Sequence, residues 1–175
     1  MSKHLIWIVR KMEAMKIPKY LIIFSAILVF AAIPAAAQTT DDPDKPAFDA
    51  DLAKKLGADE YGMKNYVFCI LKTGPNDAKI KGKERDDLFA GHLANIGRLA
   101  DEGKLAVAGP FGKNDKNYRG LFIFNVATVE EAQKLVDTDP TVKAGVLIAE
   151  LTPWYGTAAL VTTSEMHKRI QKKHF

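Results

Sequence analysis

The folded pattern starts at Asn65. Asn65 to Lys72, NYVFCILK, is an apolar run rich in β-formers and of the right length for a buried strand; Thr73-Gly74-Pro75-Asn76-Asp77 ends it with turn residues. Ala78 to Arg85 is lysine-rich and reads as a loop. From Asp86 to Glu102 the period changes. Phe89, His92, Leu93, Ile96, Leu99 and Ala100 share one face of a helix. Asp86 and Asp87 suit its first turn, and Gly103 suits the left-handed residue after its end. Leu105 to Ala108 is a short strand closing at Gly109-Pro110. The polar stretch Phe111 to Tyr118 is a hairpin connection to a strand at Arg119–Val126. Thr128-Val129-Glu130-Glu131 is a capping box that opens a second helix, with Val129, Ala132, Leu135 and Val136 as its stripe. Asp139-Pro140 through Gly145 predicts one more helical turn, and Val146–Leu151 the last strand.

The order strand, helix, strand, strand, helix, strand predicts an α+β fold of ferredoxin-like βαββαβ type. Its four-stranded antiparallel sheet would carry both helices on one face. The strands alternate little, so both faces of the sheet are expected to be buried. Two helices cover one face only, and a second copy of the chain is the simplest cover for the other. A homodimer follows as an expectation.

Two segments flank this domain at its start and one at its end. Residues 15–37 have the three parts of a secretory signal: Lys16 and Lys19, the apolar run Tyr20–Ile33, and Ala35-Ala36-Ala37 as a small-x-small cleavage site. Residues 1–37 are therefore read as a cleaved signal peptide, which touches a membrane only in transit. The rival reading is a retained anchor, but the run falls short of the ~20 residues that span a bilayer. No Cys follows the cleavage site, so a lipoprotein is not expected, and the localisation is secreted or periplasmic. Residues 38–64 form a polar linker with a short helix near Asp49–Leu56. Residues 65–156 are the domain, and 157–175 a basic, partly helical extension.

Charge adds one exclusion. The net charge of +4 comes largely from the leader; beyond residue 37 the chain has 20 basic and 20 acidic residues. Apart from the tail around His167–His174 the signs are mixed, which argues against a nucleic-acid partner. The single cysteine, Cys69, excludes an internal disulfide and any multi-cysteine metal site. Nothing pairs the histidines at metal-ligand spacing, and no phosphate loop, dinucleotide fingerprint or nucleophile elbow is present.

Candidate chemistry centres on His92, an ionisable residue on an apolar helix face. It is either a core histidine with a satisfied hydrogen bond or a pocket residue able to exchange a proton. Gly109, Pro110 and Phe111 either form a turn or shape a pocket rim. Arg119 is either a surface residue or a partner for an anionic ligand. Trp154 packs in a seam or core, or lines the pocket.

Four stretches together, AGHL at 90–93, EGKLAVAGPFG at 102–112, GLFIFNVATVEEAQKLVDTDPTVKAGV at 120–146 and the closing LTPWYG, resemble the YciI-like (YCII-related) family over about Tyr66 to Gly156. The resemblance implies a dimeric α/β barrel and a His–Asp dyad, which falls here on His92 and Asp139. Asp139 also precedes Pro140 and suits an N-cap; the two roles are compatible because a carboxylate has two oxygens. The signal pattern and this resemblance together lead to the expectation of an exported small-molecule enzyme using the dyad for cofactor-free proton transfer, of lyase, isomerase or dehalogenase type; the leader, the linker and the C-terminal extension depart from the family pattern. The alternative is a non-catalytic dimeric ligand-binding or stress-related domain. A haem-binding role ranks below both, since His92 is the only core histidine.

Overall fold

The computed structural model describes residues 46–173, so the leader and the head of the linker lie outside the described residues. A short helix, α1 (Ala50–Leu56), is capped by Asp49, whose carboxylate accepts the Leu52 N–H. Then come β1 (Met63–Thr73), α2 (Gly82–Asp101), β2 (Leu105–Pro110), β3 (Tyr118–Phe124), α3 (Val129–Val136), α4 (Pro140–Lys143) and β4 (Leu147–Thr157). A 3-10 turn (Ala158–Thr162) and α5 (Thr163–Ile170) complete the chain. The four strands form one antiparallel sheet in the order β2-β3-β1-β4. This is the ferredoxin-like α+β arrangement.

Strand alternation divides the side chains between two faces. Val67, Cys69 and Leu71 of β1 and Phe122 and Phe124 of β3 pack with Leu99 of α2 and with Ala132 and Val136 of α3. Tyr66 and Ile123 point the other way and form a second cluster with Ala106. Cross-strand pairing keeps each set in line: Cys69 lies between Phe122 and Leu151, and Tyr66 lies beside Trp154.

Several boundaries differ from the sequence reading, each for a local reason. Helix α2 starts at Gly82, not Asp86. Its first turn is polar and carries no apolar stripe, but Lys83 pairs with Asp87 one turn on at 2.7 Å. Gly103 ends the helix at φ 67°, and Lys104 N–H closes back on the Leu99 carbonyl at 2.9 Å. The Thr128–Glu131 capping box forms in both directions. Strand β4 runs on through Pro153 to Thr157. A proline is tolerated there because β4 is an edge strand, with only β1 beside it.

The largest difference lies on the outer face of the sheet. Leu160 and Val161 pack against the Tyr66–Ala106–Ile123 cluster. The Tyr66 hydroxyl donates to the Thr157 carbonyl at 3.0 Å, and the Thr163 hydroxyl to the Ala106 carbonyl at 2.7 Å. Lys168 of α5 reaches Asp101 at the end of α2. The C-terminal segment is therefore a partial cover for the face that the sequence alone leaves to a second subunit. Ile148 and Trp154 on that face stay exposed at 43% and 37%. Among the described residues, no helix is long and apolar enough to cross a membrane.

Candidate active site

The site is built where α4 meets α2. His92 lies midway along α2, with Phe89 edge-on at 5.9 Å and Phe122 of the sheet stacked at 6.0 Å between ring centres. These contacts fix the imidazole plane. Asp139 sits just before α4. Its carboxylate divides its work between its two oxygens. Oδ1 accepts the Thr141 N–H at 2.9 Å and the Thr141 hydroxyl at 2.6 Å, which caps α4. Oδ2 pairs with His92 Nδ1 at 2.6 Å. Asp139 is 1% exposed and His92 9%.

Two further residues make this approach possible, and the sequence reading singled out neither. A Cβ on Gly91 would meet the Pro140 ring at 2.9 Å, so a glycine beside His92 lets α4 close on α2. Thr141 satisfies the second carboxylate oxygen and places its own hydroxyl 3.4 Å from His92 Nδ1. The only signal for Gly91 in the sequence is its place next to His92, and for Thr141 its place two residues after the cap.

The electrostatics follow from these contacts. Burial pushes the Asp139 carboxyl up, but hydrogen bonds from His92 and Thr141 and the His92 charge outweigh it, and the net shift is downward. An ionised Asp139 accepts from Nδ1–H and so selects the tautomer with its lone pair on Nε2. Nε2 takes no partner among the described residues. Cys69 of β1 is fully buried in the same core. Desolvation first, then the Asp139 charge, pushes its thiol up to about 12, so it stays protonated and is no nucleophile.

The remaining sequence candidates divide by face. Gly109 and Pro110 end β2, paired with Leu121 and Gly120, and Phe111 N–H donates to the Arg119 carbonyl at 2.9 Å, so these residues meet at one end of the sheet. Trp154 lies on the outer face, its ring 5.8 Å from Tyr66, across the sheet from the dyad. Among the described residues, no three His, Cys, Asp or Glu side chains are grouped to hold a metal ion.

A family model of the YCII-related domain matches residues 66–155, which runs from within β1 to within β4 and takes in both members of the pair. The chain belongs to the YCII-related domain family. Within it, Protein YciI of Escherichia coli O6:H1 is 44% identical over 62 residues, covering 31% of this chain and 63% of that protein, and YciI of Shigella flexneri matches equally. The match thus spans less than two thirds of these relatives' own length. A solved structure of 5-chloro-2-hydroxyhydroquinone dehydrochlorinase from Burkholderia phenoliruptrix, in complex with 2,5-dihydroxybenzoquinone, is 28% identical. It covers 50% of this chain and 92% of that one, with a TM-score of 0.37.

Proposed function

We propose that this YCII-related chain is a small-molecule enzyme that moves a proton without a cofactor. His92 is its acid–base group and Asp139 its positioning partner. The observation that carries the reading is the buried 2.6 Å contact between His92 Nδ1 and Asp139 Oδ2. A carboxylate held ionised behind an imidazole fixes its tautomer and stabilises the imidazolium that forms when Nε2 takes a proton. With a substrate C–H at Nε2, the electron pair left on carbon either shifts to a neighbouring bond and is reprotonated by His92, an isomerisation, or expels a leaving group, an elimination. In the second case the proton passes from His92 to solvent and the leaving group departs as its anion.

Export and self-association belong to the same proposal. The signal pattern at residues 15–37 supports export, which the N-terminal mass of the mature protein would check. The exposed Ile148 and Trp154 support a second copy on the outer sheet face, beside the C-terminal cover.

The test of the chemistry is His92→Gln, which keeps a polar side chain of similar reach and removes the base. In a screen of small cyclic acids and halogenated phenols, the wild type should show turnover, and the variant, checked to be folded under the assay conditions, a loss of about 10²-fold or more. Equal turnover by the two proteins would refute the acid–base role.

A further inference from the structure

One cluster near the dyad is out of charge balance. Asp77, in the turn after β1, faces two guanidiniums. Arg85 donates to its Oδ1 at 2.7 Å and to its carbonyl at 3.2 Å. Arg119 lies 3.7 Å from the same Oδ1, too far for a hydrogen bond, and its guanidinium takes no hydrogen-bond partner among the described residues. Two cations thus share one carboxylate, and the donors of Arg119 stay open at the mouth of the cluster, its side chain 39% exposed.

The cluster is tied to the dyad by position. Arg85, Phe89 and His92 lie on one face of α2. The Arg85 guanidinium carbon sits 5.0 Å from the Phe89 ring centre, and that ring 5.9 Å from the imidazole. Phe89 therefore separates the cation from the base by one ring. The turn carrying Asp77 is pinned to the chain just after α4, since Asn76 donates to the Ala144 carbonyl at 2.9 Å and its N–H to the Gly145 carbonyl at 3.0 Å. The short helix that carries Asp139 at its cap thus also anchors the arginine cluster. Between Arg119 and Phe122, the helix-facing position of β3 is the buried Gly120, which adds no side chain there.

We infer that the site takes a small cyclic carboxylate, its acid group on Arg119 and Arg85, its ring against Phe89 and its reacting atom at His92 Nε2. The inference deepens the proton-transfer reading and rests on it for the chemistry at Nε2, while anion binding itself depends only on the arginines. Arg119 supplies the open fork, and Arg85 is held in place by Asp77 so that it contributes charge with little freedom to lose.

The experiment titrates the full chain with two probes of one shape, benzoate and benzamide, followed by amide and side-chain NMR shifts. Benzoate should bind about tenfold or more tightly than benzamide, move the Phe89, His92 and Arg119 resonances together, and weaken as salt is raised. Arg119→Gln should bring benzoate to the benzamide level and leave benzamide unchanged; Arg85→Lys, which keeps the charge and loses the fork, should weaken benzoate less. His92→Gln should keep benzoate binding. Equal affinity for the two probes, no saturable benzoate binding, or indifference to Arg119→Gln in a folded variant would each overturn the inference. Selective benzoate binding without turnover of any substrate would sink the proton-transfer reading and leave the anion site standing.

Discussion

On the helix side of the sheet, β1, β3, α2 and α3 enclose a continuous apolar core, and its few buried polar side chains are tied to one another: Asp139 joins His92 and Thr141, and of their side-chain hydrogen-bonding atoms His92 Nε2 alone takes no partner among the described residues. On the outer side, Tyr66, Ala106 and Ile123 are covered by a five-residue turn and a short basic helix whose polar ties are backbone carbonyls and one surface ion pair. The first side concentrates its stability in contacts that fail together when one partner is lost. The second spreads it over contacts that fail singly. The difference follows from burial, since an unpaired polar atom is costly only where water cannot replace the partner.

Asp139→Ala breaks this comparison at its strongest point. It strands His92 Nδ1 and both donors of Thr141 in a buried site and uncaps α4, and should cost roughly 3 kcal/mol. The pH dependence has a definite sign. The Asp139 carboxyl is held below its ordinary value, so the native state binds fewer protons than the unfolded chain in that window. Its stabilisation is complete above the ordinary carboxylate range and is lost as pH falls through the folded value. Urea midpoints taken across the acidic range should therefore slope more steeply for the wild type than for the variant; parallel slopes would show that the carboxylate is not held ionised.

Gly91→Ala acts on the same pair without touching it. The new methyl meets the Pro140 ring, and the overpacking, about 1–3 kcal/mol, is partly offset by the helix gain of alanine, about 1 kcal/mol. The net stability change should be small, while the His92–Asp139 contact lengthens as α4 is pushed away. The downfield proton resonance of a hydrogen-bonded imidazole reports this directly and should shift upfield. Gly97→Ala, on the same helix with nothing within 4 Å, should leave that resonance in place and stabilise slightly. Like behaviour of the two variants would show that the close approach does not set the pair.

These positions also mark how far the chain could be read beforehand. The Thr128 capping box, the stop at Gly103 and the cap at Asp139 are local patterns, and each formed as the residues suggest. The strand order followed from the alternation of apolar runs with an amphipathic helix. Pairing His92 with Asp139 needed a resemblance, because no periodicity links residues 47 positions apart. The need for glycine at 91 lies in Pro140, a distant partner that a local pattern does not contain. The outer cover was illegible for a different reason: AALVT is too short to show a period, and its neighbour Thr163–Ile170 reads by charge as a solvated tail.

Leu160→Ala tests that cover. Leu160 is half-buried and packs on Tyr66, Ala106 and Ile123 with Val161 beside it, so truncation removes part of one contact set and leaves the rest. A fully buried leucine costs about 2–5 kcal/mol on such a change, and one with water already at its edge should cost about 1 kcal/mol. The dyad lies across the sheet, with Phe122 between His92 and the strands, so the imidazole resonance should not move. A loss as large as that of Asp139→Ala, or a shift at His92, would mean that the two faces are coupled through the sheet. A small loss with an unmoved imidazole would leave the C-terminal segment as a cover only, separable from the His92–Asp139 pair on the other side.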